Sequence, residues 1–292
     1  MATTSGILAV DIGGTKLAAA VVTAQGDIIR RDRVATPNRA PWVTLAALIK
    51  RIQATASDIE LVACGVACGG PMKIGGTEVS PLHIPTWVDF PLLGSISELT
   101  GLRTFIDNDA KALALAEGWL GATRDCANFL AVVIGTGVGG GLVEGNRLAV
   151  GRTGNAGHFG HIVVGSDDRP CRCGGRGCLE AYVSGPAIER ETGRDPMYAP
   201  MNLKVRNGIL LGRAVASVAA VADIERVVVG GSVALGWGEP FFQAANDELG
   251  SRSKLQFTSG VSIVPLGLGD SSALIGAAAV ALTSITERTA SE

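Results

Sequence analysis

The strongest constraint on this chain is a pattern that occurs twice. Gly6-Ile-Leu-Ala-Val-Asp11-Ile-Gly-Gly-Thr-Lys16-Leu-Ala-Ala-Ala-Val-Val22 is an apolar run, a Gly-Gly turn and a second apolar run, which reads as a buried β-hairpin. Phe129-Leu-Ala-Val-Val-Ile134-Gly-Thr-Gly-Val-Gly-Gly-Gly141-Leu-Val repeats it about 120 residues later, the mark of an internal duplication. Each copy is expected to open one domain. A length of 292 residues agrees, since roughly 150 residues make one domain.

Further strands are expected at Leu61–Ala67, Thr104–Asp107 and Arg226–Val229, and helices at Ala110–Leu120, Gly208–Ala222 and Ser271–Thr283. Strands alternating with helices give an α/β architecture in two lobes. No low-complexity linker separates the lobes, so they are expected to share a cleft. Hydrophobic residues at 47% and charged residues at 18% place the chain among globular proteins, and a net charge of −2 supplies no basic field for nucleic acid or an anionic membrane. No basic cluster precedes the first apolar run, as a secretory signal would require. Ile209-Leu210-Leu211 runs into Arg213, and Ala273 to Leu282 is about half the length needed to span a bilayer. The expectation is a cytoplasmic protein that binds neither membrane nor nucleic acid.

Forty glycines are about twice the typical share and need local explanations. Gly135-Thr136-Gly137-Val138-Gly139-Gly140 has the spacing of a dinucleotide fingerprint, but a strand follows it where the fingerprint needs a helix. A Walker loop is also excluded, because no Gly-Lys-Ser/Thr follows. Two readings remain: plain tight hairpins, or turns whose backbone N–H groups and threonine hydroxyls face phosphate oxygens. Asp11, just before the first turn, suits Mg²⁺ held through water.

Cys171-Arg-Cys173-Gly-Gly-Arg-Gly-Cys178 places three thiols within eight residues, ten positions after His161. Three thiolates and an imidazole complete a tetrahedral zinc set with no open position, a structural site; a redox pair is the alternative. Cys64, Cys68 and Cys126 read as small buried hydrophobes. Asp107-Asn108-Asp109 stands at a strand-to-helix junction, where it could be an N-cap cluster or a catalytic carboxylate favoured by the helix N-terminus.

Asp11-Ile-Gly-Gly-Thr-Lys16, the second glycine turn and the cysteine cluster together resemble the ROK family of sugar kinases and repressors over nearly the whole chain. That resemblance implies a two-lobed actin-like ATPase (ribonuclease-H-like) fold. The N-terminal lobe would span residues 1–118, with a helix at about 272–288 returning to it. The C-terminal lobe would span 119–271 and carry the zinc knuckle. The implied reaction is transfer of phosphate from ATP, with Mg²⁺, to the 6-hydroxyl of a hexose. Asp109 would be the general base, Asn108 and Glu180 would contact the sugar, and Gly69-Gly70-Pro71 would line its cleft. Asp11, Gly13, Gly14, Thr15, Lys16, Gly135, Thr136 and Gly137 would hold nucleotide phosphates and Mg²⁺, while Gly230 and Gly231 face the adenosine. His161, Cys171, Cys173 and Cys178 match the family's zinc ligands, with His161 also donating to a sugar hydroxyl. Homodimers and homotetramers are the implied assemblies.

The chain departs from the family pattern at two substrate-facing positions. His158 stands where most family kinases have a sugar-binding glutamate, and a neutral imidazole donates and accepts where a carboxylate only accepts. His83 stands where many relatives have asparagine, and the stretch from Thr192 to Asn207 is shortened. The substrate expected on this basis is a modified glucose-like sugar, the kanosamine kinases of antibiotic pathways being the nearest comparison and an ordinary glucokinase the alternative. A repressor of this family carries a DNA-binding segment before the first glycine turn, and only ten residues precede Asp11.

Overall fold

A computed structural model describes residues 5–165 and 167–289. The chain divides into two compact units: residues up to Leu120 with Arg152–Gly154 and the chain from Leu268, and Gly121–Gly151 with Asn155–Gly267. In the first unit β1 (Ser5–Ile12) and β2 (Lys16–Val22) form the hairpin, and β3 (Ile28–Ala35) extends it antiparallel. After α1 (Pro41–Thr55), β4 (Glu60–Cys68) lies parallel to β1. After α2 (Leu92–Thr100), β5 (Thr104–Asn108) lies parallel to β4 and leads straight into α3 (Asp109–Trp119). The sheet order is β3-β2-β1-β4-β5.

In the second unit β6 (Phe129–Ile134), β7 (Val138–Glu144) and β8 (Arg147–Leu148) are antiparallel neighbours. Helices α4 (Glu180–Val183), α5 (Gly185–Thr192) and α6 (Met201–Ala222) precede β9 (Arg226–Gly230), which is parallel to β6. Then α7 (Ser232–Trp237) and α8 (Glu239–Arg252) lead to β10 (Ser262–Pro265), parallel to β9. The order β10-β9-β6-β7-β8 is the first sheet's order read in reverse. The last described element is α9 (Ser272–Thr289), part of the first unit.

β1 is almost wholly apolar because both its faces are covered. Leu8, Val10 and Ile12 enter a core with Leu45, Leu48 and Ile49 of α1 and Ile96 of α2. Ile7 and Ala9 enter the opposite core with Ala112 of α3 and Ala277, Ala278 and Ala281 of α9. Small residues let these layers close up: a Cβ on Gly65 would stand 1.9 Å from the Ala277 carbonyl oxygen, and one on Gly276 would stand 2.5 Å from that of Ala112.

Helix α6 begins well before Gly208, the start expected from sequence. Gly208 and Gly212 are interior positions where α8 comes against the backbone, a Cβ on either standing 2.4 Å from a carbonyl oxygen of Phe241 or Ala245. The expectation that the apolar stretches are too short to cross a bilayer is also corrected. By length and composition, helical segments at Met201–Ala222 and Gly269–Thr286 are long and apolar enough. Arg213 does not interrupt α6, because its guanidinium pairs with Glu248 at 2.7 Å. Both segments serve as core helices here, α6 against α8 and α9 against the first sheet.

Candidate functional site

The carboxylates of the first unit gather where parallel strands end, the place where α/β sheets bind ligands. The register pairs Ile12 with Cys68 and Cys68 with Asn108, so the segments around Asp11, Gly69 and Asp109 leave the sheet at one level. Asn108 caps α3 by accepting the Ala110 N–H at its Oδ1, 3.0 Å away. Glycines admit the neighbouring chain: a Cβ on Gly69 would lie 3.9 Å from Asp109 Oδ2, and one on Gly70 would lie 3.6 Å from Asn108 Nδ2. The Gly70–Pro71 peptide bond is cis.

Asp11 is 7% exposed. Burial pushes its carboxyl up to about 6, the neighbouring Asp109 charge adds to this, and Lys16 opposes it. Asp109 keeps an open surface but stands among enough protein that lost hydration raises its carboxyl too. The Ala110 N–H, donated at 2.9 Å, and the His83 imidazole pull it back. Two neighbouring carboxylates that proton and cation compete for can hold a divalent ion at one and accept a proton at the other.

The first glycine turn is closed by the Gly13 N–H donating to the Lys16 carbonyl at 3.0 Å and by Thr36 Oγ1 donating to the Gly13 carbonyl at 2.7 Å. Gly14, Thr15 and Lys16 are exposed. Gly14 has a structural reason to be glycine besides the approach of an anion, because a Cβ there would stand 2.4 Å from the His83 Cβ. His83 therefore lies directly over the turn. Lys111 escaped the sequence reading, although a lysine inside an apolar helix was its signal. It is 3% exposed, donates to the Gly154 carbonyl at 2.6 Å and stands 3.9 Å from Asp107. Burial raises the Asp107 carboxyl and Lys111 lowers it, consistent with a structural part for both.

In the second unit the glycine turn is likewise exposed at Thr136. The Gly135 N–H donates to the Gly137 carbonyl at 3.0 Å, and the Gly135 carbonyl accepts the Gly185 N–H at 2.8 Å. The fold brings Gly231 against this turn: it has φ of 95°, and a Cβ would stand 2.2 Å from the Ile134 carbonyl oxygen. Glu180 also arrives here, its Oε2 accepting the Val138 N–H at 2.8 Å. Gly157 and Gly160, in the segment after β8, are glycine for a separate reason, their contact with β7. A Cβ on Gly157 would lie 2.3 Å from the Gly140 carbonyl oxygen, and one on Gly160 would lie 2.4 Å from that of Val138. The segment bearing His158 and His161 is thus laid backbone to backbone on β7, with the two imidazoles edge to face at 6.1 Å.

The donor atoms of His161, Cys171, Cys173 and Cys178 all lie within 4.8 Å of one another. His161 Nδ1 is 3.8 Å from Cys171 Sγ, and Cys173 Sγ is 3.8 Å from Cys178 Sγ. A tetrahedral zinc with bonds of ~2.3 Å separates its sulfur ligands by roughly this distance. The set therefore fits a structural zinc, with Nδ1 of His161 as ligand and Nε2 left for other work. Cys64, Cys68 and Cys126 are buried, and burial raises each thiol, Cys64 to about 12, which agrees with a packing role.

Paired five-stranded sheets of matching order, each opened by a glycine-turned hairpin, define the class: an actin-like ATPase fold. The chain belongs to the ROK family, whose family description matches residues 7–284. It is 36% identical over 251 residues to an N-acetylmannosamine kinase of Escherichia fergusonii, covering 79% of this chain and 84% of that one. The ROK hexokinase of Thermus thermophilus superposes with a TM-score of 0.86 at 30% identity, covering 97% of this chain and 99% of the other. A ROK glucokinase of Streptomyces griseus, solved with glucose and AMPPNP, gives 0.78 at 28% identity, covering 94% and 98%. These relatives are sugar kinases, and the matches support phosphorylation of a sugar.

Proposed function

We propose that the protein transfers the γ-phosphoryl group of Mg-ATP to the 6-hydroxyl of an amino hexose. The observation that carries this reading is the pair Asp11 and Asp109 at the ends of β1 and β5 in a chain related to sugar kinases, where burial raises both carboxyls and the Asp109 charge raises Asp11 further. Asp109 accepts the proton of the attacking hydroxyl, and Asn108 and Gly70 line the sugar beside it. Asp11 holds Mg²⁺ through water. The turns Gly13-Gly14-Thr15-Lys16 and Gly135-Thr136-Gly137 receive the phosphates, and Gly230-Gly231 the adenosine side. Phosphoryl transfer needs little beyond this positioning and charge. His161, Cys171, Cys173 and Cys178 would hold Zn²⁺, which would supply a structural cross-link to the loop that bears His158, and His161 Nε2 would donate to a sugar hydroxyl.

Identity favours N-acetylmannosamine over kanosamine or glucose as the substrate, and His158 and His83 supply the donor-acceptor groups that a substituted sugar calls for. Assay of Mg-ATP with N-acetylmannosamine, kanosamine and glucose tests this. The highest kcat/KM is expected for N-acetylmannosamine. Glucose turned over equally well would overturn the specificity, and phosphorylation of no sugar would overturn the reaction.

A further inference from the structure

Val138, the last residue of the second glycine turn, is held from two sides by neighbours of the candidate metal ligands. Its N–H is taken by Glu180 Oε2 at 2.8 Å, two residues after Cys178. Its carbonyl is covered by Gly160, where a Cβ would stand only 2.4 Å away, one residue before His161. The connections are stiff. The Ala181 N–H donates to the Cys178 carbonyl at 3.0 Å, which winds Cys178 into the turn that carries Glu180, and the Leu179 N–H donates to the Ile162 carbonyl at 2.9 Å, which ties the two ligand segments together. Gly137 is also shaped to this contact, since a Cβ would stand 3.1 Å from the same Glu180 oxygen. One Glu180 oxygen is thereby committed to the turn and not to a ligand.

We infer that Glu180 is a positioning residue that locks the Gly135–Val138 turn to the Cys/His knuckle, so that the geometry of the knuckle sets the geometry of the turn. Its consequence for nucleotide binding rests on the kinase reading above; the brace itself does not. A charged acceptor on a backbone N–H is the strong kind of hydrogen bond, and its loss leaves a donor at the turn unmatched. The knuckle then contributes to phosphate binding without touching phosphate.

Hydrogen–deuterium exchange of the 134–142 peptide tests the brace. Glu180→Ala should speed exchange at least tenfold, about 1.4 kcal/mol, while Glu180→Gln, whose amide oxygen still accepts, should restore most of the protection. Zinc chelation of the wild type should speed the same peptide and add little in Glu180→Ala. In kinetics, Glu180→Ala should raise KM for Mg-ATP more than KM for the sugar, with partial rescue by Gln. Unchanged exchange in Glu180→Ala, or a rise confined to the sugar KM in both variants, would overturn the inference. If the wild type binds no Mg-ATP yet exchange responds as expected, the brace stands and the kinase reading falls.

Discussion

The two hairpins carry nearly the same words and opposite chemistry. Leu8-Ala-Val-Asp11-Ile-Gly13 in β1 corresponds to Leu130-Ala-Val-Val133-Ile-Gly135 in β6, with matching places in matching sheets. The one difference in that stretch puts an ionisable carboxyl in the first unit and an isopropyl group in the second. The strands beside them differ in the same spirit. β2 fills its place with Ala18, Ala19 and Ala20, which pack into cores. β7 has Gly139, Gly140 and Gly141, and at Gly140 the His158 segment lies on the backbone, a Cβ there standing 2.9 Å from the Gly157 carbonyl oxygen. One unit thus invests in charge, the other in close backbone approach, and duplication alone supplied neither.

The contrast breaks most clearly at Asp109. Asp109→Asn should lower kcat by roughly 10²–10⁴-fold, the usual worth of a general base, with a melting temperature at neutral pH that is not lowered. Retained turnover would remove the chemistry from the first unit. Gly231→Ala tests the second unit's reliance on backbone fit: left-handed φ plus a Cβ 2.2 Å from the Ile134 carbonyl oxygen should cost about 3 kcal/mol or more, read by denaturant unfolding.

Asp11→Asn removes the carboxylate that the second hairpin lacks and should trade activity for stability. A carboxyl raised from 3.8 to about 6 binds its proton more tightly folded than unfolded, so its contribution to stability falls as pH rises across that window. At pH 7 the variant, free of Mg²⁺, should be stabilised by up to about 3 kcal/mol, and the gain should vanish below pH 4. A gain independent of pH would exclude the charge as its cause. The acid limb of kcat/KM should correspondingly lie above the ordinary carboxylate range, because both carboxyls are raised, and the apparent value belongs to the pair. The smallest effect is a control. Gly94→Ala in α2, where a Cβ meets nothing within 4 Å, should stabilise by about 1 kcal/mol or less.

Much of this site was legible before the fold was. Three cysteines and a histidine at metal spacing name a donor set by chemistry alone, and the fold places those atoms together. The Asn108 cap was readable because capping acts within one turn. Helix α6 was misread because Gly208 looks like a boundary locally, whereas its glycine answers to α8 more than thirty residues on.

By itself, then, the sequence determined what depends on near neighbours: two buried hairpins, a capped helix carrying a carboxylate, and a four-ligand knuckle, since periodicity and short spacings act along a few turns of chain. Tertiary structure alone decided the partners. Glu180 meets Val138 across 42 positions, Lys111 meets Gly154 across 43, and His83 lies over Gly14. Such pairings follow from how sheets and helices stack, and no local pattern of residues encodes the distance between segments that far apart.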